Sequence, residues 1–181
     1  MQRPPPGSVA FLTQSGTYGC SVLEWLAQDG IGISKFISYG NMADVDEAEL
    51  IEYLSKDPQT KIIAFYMESI KSGRRFIEVA AKASQVKPII VLKSGRSEAG
   101  AKVALSHTGN IAGRYEIVKA ALKKARVNLL PFNATVVNHI AIFDYKRNKN
   151  IRGYLFCWLK RILKELIEAQ RGTSLPYIKL Q

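Results

Sequence analysis

The 181-residue chain has few cysteines, few histidines and no long apolar run. Cys20 and Cys157 stand far apart and match no metal-ligand spacing. That excludes a disulfide framework or a zinc ribbon and fits a reducing compartment, so a cytoplasmic location is expected. No window approaches the length of a membrane span, and stretch 1–7 has no apolar core behind its charge, so neither a transmembrane segment nor a targeting signal is expected. Acidic residues are also scarce, 15 against 26 Lys and Arg, for a net charge of +11. Residues 1–127 carry +5 of this and residues 128–181 carry +6, so the smaller segment is the more basic. Within 1–127 the basic residues are scattered rather than interleaved with aromatics. That pattern offers no stacking platform for nucleic acid, and no specific nucleic-acid partner is expected.

Against these absences, 47% of the residues are hydrophobic, enough for one well-buried domain with an appendage. From 7 to 127, short apolar runs alternate with helical patterns. Strands are expected at 8–13, 33–38, 61–67, 88–92 and, as a fifth, 127–130. Between them, Val22, Leu23, Trp25 and Leu26 mark one helix. Asp46 with Glu49 forms a capping box that opens a second through Leu50, Ile51 and Leu54. Ser72 is placed to cap a third through Phe76, Val79 and Ala80; a short one fits 98–104 and a longer one 115–125. Strands this apolar must be covered on both faces, which makes the fold a parallel-sheet α/β sandwich. Ligands in such sheets bind beyond the carboxyl ends of the strands. The turns after strands one, three and four, with Ser15-Gly16-Thr17, Glu68-Ser69 and Lys93-Ser94-Gly95, should therefore converge.

Domain 1–130 is followed by an expected linker, 131–150, and a basic helical tail, 151–181. In the tail, Leu155, Trp158, Leu159, Ile162, Leu163, Leu166 and Ile167 form an amphipathic stripe. Three uses are open for it: packing on its own domain, a partner or homo-oligomer interface, and a membrane surface. Lys160 and Arg161 exclude a span.

Three features could carry chemistry. His107, one of two histidines, lies in Ser106-His107-Thr108-Gly109-Asn110-Ile111-Ala112-Gly113, a small, polar loop in which the backbone can approach an anion. A lone histidine is more often structural than catalytic, so its context decides. Ser15-Gly16-Thr17 forms a strand-to-helix turn whose N–H groups can face a phosphate, with ordinary helix capping as the alternative. It is not a Walker loop, since no Gly-Lys-Ser/Thr follows. Glu68 ends an apolar strand, where a carboxylate is costly to desolvate unless paired. A histidine partner would gain a fixed tautomer from it; capping or a surface ion pair is the alternative.

Several segments occur in a specific order: Thr13-Gln14-Ser15-Gly16-Thr17-Tyr18-Gly19, then Ser38-Tyr39-Gly40-Asn41 with Asp44, and Lys56-Asp57-Pro58-Gln59-Thr60 before Tyr66-Met67-Glu68-Ser69-Ile70. Lys87-Pro88, Val91-Leu92-Lys93-Ser94-Gly95-Arg96-Ser97 and Ser106-His107-Thr108-Gly109 with Ala112-Gly113 complete the series. In this arrangement, 7–127 resembles the ligase domain of the succinyl-CoA synthetase α subunit, and still more the corresponding domain of nucleoside-diphosphate-forming acyl-CoA (acetate-CoA) synthetases. The resemblance covers about two thirds of the chain and implies a flavodoxin-like three-layer sandwich with a five-stranded parallel sheet. It also implies phosphohistidine chemistry, in which a histidine takes a phosphoryl group from an acyl phosphate and passes it to a nucleoside diphosphate. His107 matches the phosphorylated position, Glu68 the residue that orients it, and Ser15, Gly16 and Thr17 the phosphate-holding helix N-terminus, with Thr108 and Gly109 beside the histidine.

The same resemblance sets what else is expected. Neither the CoA-binding Rossmann domain nor the ATP-grasp domain of the family is recognisable, so CoA, ADP or ATP, and Mg²⁺ are expected on partner domains or subunits and no cofactor on this chain alone. Residues 128–181 do not resemble the family's continuation, and a split, truncated or frameshifted gene product is expected, with a genuine lineage-specific tail as the alternative. The alternative is a non-catalytic interaction module or remnant, and a third reading has the basic tail binding nucleic acid or an anionic surface.

Overall fold

The computed structural model of the chain describes residues 3–94, 115–129, 133–137 and 140–144. Four full strands, β1 (Pro6–Thr13), β2 (Ile33–Ser38), β3 (Ile62–Met67) and β4 (Ile89–Lys93), run parallel with α1 (Gly16–Gln28), α2 (Glu47–Lys56) and α3 (Gly73–Ala83) between them. After α4 (Tyr115–Lys124) comes β5, only Asn128–Leu129, which pairs with Ile90 and Val91. The sheet order is β2-β1-β3-β4-β5, the order of flavodoxin-like sheets, in which β1 and β3 are neighbours whose connections leave in opposite directions. The expected parallel α/β sheet is present. Of its five anticipated strands, four are full-length and the last is a two-residue edge.

Position in the sheet follows composition. Every residue of Ile62–Met67 and Ile89–Lys93 is buried, as central strands covered on both faces require, whereas β2 is half-buried along its length. On one face Ala10, Leu12, Ile63, Phe65, Met67, Ile89 and Val91 pack against Leu50, Ile51 and Leu54 of α2, Phe76 and Ala80 of α3 and Leu122 of α4. The other face includes Tyr66, whose ring stacks at 4.2 Å between centroids on Tyr18 of α1.

Local signals in the sequence set most helix starts. Ser15 caps α1 by accepting the Tyr18 N–H, and the Asp46 and Glu49 capping box of α2 is complete. Ser72 departs from expectation: it occupies the N-cap of α3, yet its hydroxyl makes no capping hydrogen bond. Backbone N–H groups of Lys71 and Ser72 are instead drawn to the buried Glu47 carboxylate, which fixes the entry to the helix from outside it.

Residues 133–144, within the stretch expected as a linker, hold an antiparallel pair, β6 (Asn133–Val137) and β7 (Ile140–Asp144). Thr135, Val136 and Val137 pair with Ile142, Ala141 and Ile140; all but Ala141 are β-favouring, and this local preference outweighs the polar residues that follow. The helix expected at 98–104 and the amphipathic tail 151–181 lie outside the described residues.

Candidate functional site

Strand register brings the expected turns together. Thr13 is level with Tyr66, and Tyr66 with Leu92, so β1, β3 and β4 end side by side at one edge of the sheet. From these ends project Ser15-Gly16-Thr17, Glu68-Ser69 and Lys93-Ser94. The first two flank the junction between β1 and β3, where a flavodoxin-like sheet opens its ligand crevice.

The β1 turn is held from within. The Thr13 hydroxyl donates to Ser15 O at 2.7 Å, and the Ser15 N–H donates back to Thr13 Oγ1 at 3.0 Å. Ser15 Oγ then accepts from the Tyr18 N–H at 3.3 Å, and Ser15 O from the Gly19 N–H at 2.9 Å. Gly16 and Thr17, at the head of α1, have N–H groups with no carbonyl four residues back to accept them. No acidic residue occupies the first turn, and among the described residues a Cβ added at Gly16 would meet nothing within 4 Å. The start of the helix is positively polarised and, among the described residues, uncrowded, which suits an approaching anion.

A side chain that the sequence left without a role joins this turn to Glu68. Gln14 Oε1 accepts the backbone N–H of Glu68 and that of Ser69, the latter at 2.9 Å. Its Nε2 reaches Ser69 Oγ and Met42 Sδ, each at 3.4 Å. One amide therefore locks the end of β1 onto the end of β3. Glu68 itself is 6% exposed, and its carboxylate acts on three described groups, Tyr39, Tyr66 and Lys93.

Lys93, whose turn was expected at this edge, is held there by contacts that the sequence did not show. The fourth strand was expected to end at 92; it runs to Lys93, which is 2% exposed. Its Nζ donates to Glu68 O at 2.7 Å and to Ser94 O at 2.6 Å. Burial lowers its pKa to about 8, against the opposing pull of the Glu68 charge. The phenols of Tyr66 and Tyr39 are pushed up, first by burial and then by Glu68 for Tyr66, and by Glu47 with Glu68 for Tyr39. Glu47, fully buried, takes the Lys71 N–H at 2.8 Å, while Lys71 Nζ donates to Met42 O at 2.7 Å, so the loops after β2 and β3 are tied behind Glu68. Burial raises the Glu47 carboxyl above its usual range despite the N–H donors around it.

Of the site residues expected from sequence, Ser15, Gly16, Thr17 and Glu68 share this edge. His107, Thr108 and Gly109 lie outside the described residues. The signal for Gln14 and Lys93 was faint: a polar residue directly after a buried strand, and a lysine closing the apolar run Ile89–Lys93. Among the described residues, no group of three His, Cys, Asp or Glu could hold a metal ion, and no helix is long and apolar enough to cross a membrane.

A parallel sheet of this order, with a helix N-terminus and a buried carboxylate at its crevice, defines a flavodoxin-like α/β domain. The chain belongs to the family described as succinyl-CoA ligase like flavodoxin domain, which matches residues 6–131. It is 52% identical over 121 residues to the α subunit of an ADP-forming acetate–CoA ligase II of Pyrococcus furiosus, covering 67% of this chain and 26% of that one. Over 124 residues it is 47% identical to an ADP-forming acetate–CoA ligase I of Archaeoglobus fulgidus, covering 68% of this chain and 18% of that protein. Among solved structures it is similar to an acetyl-coenzyme A synthetase 1 of Ca. Korarchaeum cryptofilum in complex with phosphate and ADP, with a TM-score of 0.68 and 43% identity, over 70% of this chain and 28% of that one. The chain thus spans between about a sixth and just over a quarter of the length of these relatives.

Proposed function

We propose that this chain supplies the phosphohistidine-bearing domain of an ADP-forming acyl-CoA synthetase. His107 attacks the phosphorus of an acyl phosphate, the P–O bond to the acyl group breaks, and the carboxylate leaves. The phosphoryl group then passes from the imidazole to a nucleoside diphosphate. Glu68 accepts a hydrogen bond from the far ring nitrogen, which holds the tautomer whose free nitrogen is the nucleophile. The N–H groups of Gly16 and Thr17, with the hydroxyls of Ser15 and Thr17, receive the phosphoryl oxygens, and the 108–109 backbone lines the same place. CoA, nucleotide and Mg²⁺ belong on this reading to CoA-binding and ATP-grasp partners.

The observation that carries the proposal is the Gln14 clamp. It fixes an open helix N-terminus and a buried carboxylate at adjacent strand ends, where one phosphohistidine could touch both. Relatives named as acetate–CoA ligases and a similar structure holding phosphate and ADP support it. Incubating the full chain with an ATP-grasp ligase subunit, a CoA-binding subunit and ATP should add one phosphoryl mass to His107 as an acid-labile adduct that His107→Ala lacks. An unmodified intact mass under those conditions would overturn the proposal and favour an interaction module.

A further inference from the structure

The two faces of the sheet are furnished unequally. α2, α3 and α4 all pack on the face of Ala10, Leu12, Phe65 and Val91. Among the described residues, α1 is the one helix on the other face, where alternation along the strands puts Ile62, Ala64 and Tyr66 of β3 and Ile90 and Leu92 of β4. Gly19 fixes where α1 lies: it comes close to Thr13 of β1 and Phe36 of β2, while Tyr18 stacks on Tyr66 of β3. β4 is two strands from β1, about 10 Å away, and a helix covers only about 5 Å to either side of its axis. Ile90 and Leu92 are nevertheless 1% and 4% exposed. We propose that the amphipathic tail is their cover: the stripe of Leu155, Trp158, Leu159, Ile162, Leu163 and Leu166 docks along β4 as a second helix beside α1.

Length, path and charge all favour this occupant. As a helix, stretch 155–167 is about 20 Å long, against about 17 Å for the five residues of β4. The chain is also delivered to the right place. β6 runs near β4, and the open end of the hairpin, where Asn133 pairs with Asp144, hands on to residues 145–154, which can span about 30 Å when extended. Charge then chooses the face. α1 carries Glu24 and, at its C-cap, Asp29, with no Lys or Arg, whereas residues 151–181 carry six Lys and Arg against two Glu. The helices of the opposite face are themselves basic, α3 with Arg74, Arg75 and Lys82 against Glu78, and α4 with Lys119, Lys123 and Lys124 against Glu116. A basic helix is therefore attracted to α1 and repelled by α3 and α4. Because β4 leads into the segment that carries His107, the docked tail would brace the strand from which that segment departs.

Methyl and aromatic NOE measurements on the full chain test the proposal. Methyl groups of Ile90 and Leu92 should show cross-peaks to the Trp158 indole and to Leu159, Ile162 and Leu163, and these should remain intramolecular when labelled and unlabelled chains are mixed. Cross-peaks from Ile90 and Leu92 only to 95–114, to the hairpin or to a second copy would overturn it. Ile162→Asp should lower the melting temperature of the full chain by about 5 °C or more, while Lys164→Asp, on the polar side of the stripe, should shift it by no more than about 1 °C. An unmoved melting temperature in Ile162→Asp would mean a stripe turned outward, to a membrane or a partner, and would sink the proposal. Neither readout involves His107, so the docking of the tail and the proposed function stand or fall separately.

Discussion

Gln14 satisfies two backbone donors at once, the N–H groups of Glu68 and Ser69. Truncating it leaves both without their acceptor at a half-buried edge, and each orphaned donor costs about 1–3 kcal/mol unless water enters. Gln14→Ala should therefore lower stability by roughly 2 kcal/mol in chemical denaturation and reduce the proposed phosphorylation of His107 more than a substitution of equal cost elsewhere. Equal loss of phosphorylation in a core variant of similar cost such as Leu54→Ala, about 2 kcal/mol or more, would show that Gln14 acts through stability alone. The same residue marks what sequence reading could reach. Glu68 was legible, because a carboxylate ending an apolar strand requires a partner. Gln14 was not, because its bonds span 54 and 55 positions and exist only once β1 and β3 pair in register. Lys93 was expected at this edge, but its bond to Glu68 O, spanning 25 positions, was hidden in the same way.

Among the elements, α1 is the one the site depends on, and Gly19 sets how closely it sits. A Cβ there would lie 2.7 Å from Thr13 Cγ2 and 2.8 Å from Phe36 Cζ. Alanine would gain about 1 kcal/mol in helix propensity, but overpacking costs about 1–3 kcal/mol, and Thr13 is also the residue whose hydroxyl shapes the turn ahead of α1. Gly19→Ala should be net destabilising by about 1 kcal/mol and displace the Ser15–Thr17 turn, visible as amide shift changes at Gly16 and Thr17; a stabilised chain with unmoved amides would refute the close-approach account. Elements whose signals are local were read well from sequence: β2 at 33–38, and α2 with its Asp46 and Glu49 box. The Ser72 cap was not, since Glu47, 25 positions earlier, supplies the acceptor. The β6–β7 pair was missed because polar residues just beyond it drew the whole stretch into a linker.

Across the molecule, buried ionisable groups should make stability climb in alkali before it falls. Lys93, with pKa lowered to about 8, and Lys87, lowered by burial, carry a desolvation penalty that is fully present below their folded pKa. Between about 8 and the ordinary lysine range the unfolded chain binds more protons than the folded one, so the stability of the fold rises with pH. The phenols of Tyr18, Tyr39 and Tyr66 act oppositely. Their folded pKa values are raised, so stability drops once unfolded tyrosine begins to ionise near pH 10. The melting temperature should therefore rise from pH 7 to about 9.5, Lys93 contributing roughly 2 kcal/mol of that gain, and decline above pH 10. In Lys93→Gln the rise should shrink to the Lys87 share. A melting temperature that falls steadily from pH 7 would contradict the burial of Lys93.

The fastener between β1 and β3 is a neutral amide at an edge where every other strong actor is ionic or becomes so. Coulombic forces there vary with salt, acidity and the stage of any phosphoryl transfer; the pull of a carboxamide on two peptide N–H groups hardly varies at all. Glutamate in its place would keep the shape but set a second anion beside Glu68 and against an incoming phosphate. Gln14 thus gives the crevice a spacing independent of its own electrical state, a fixed gauge across which charge can come and go.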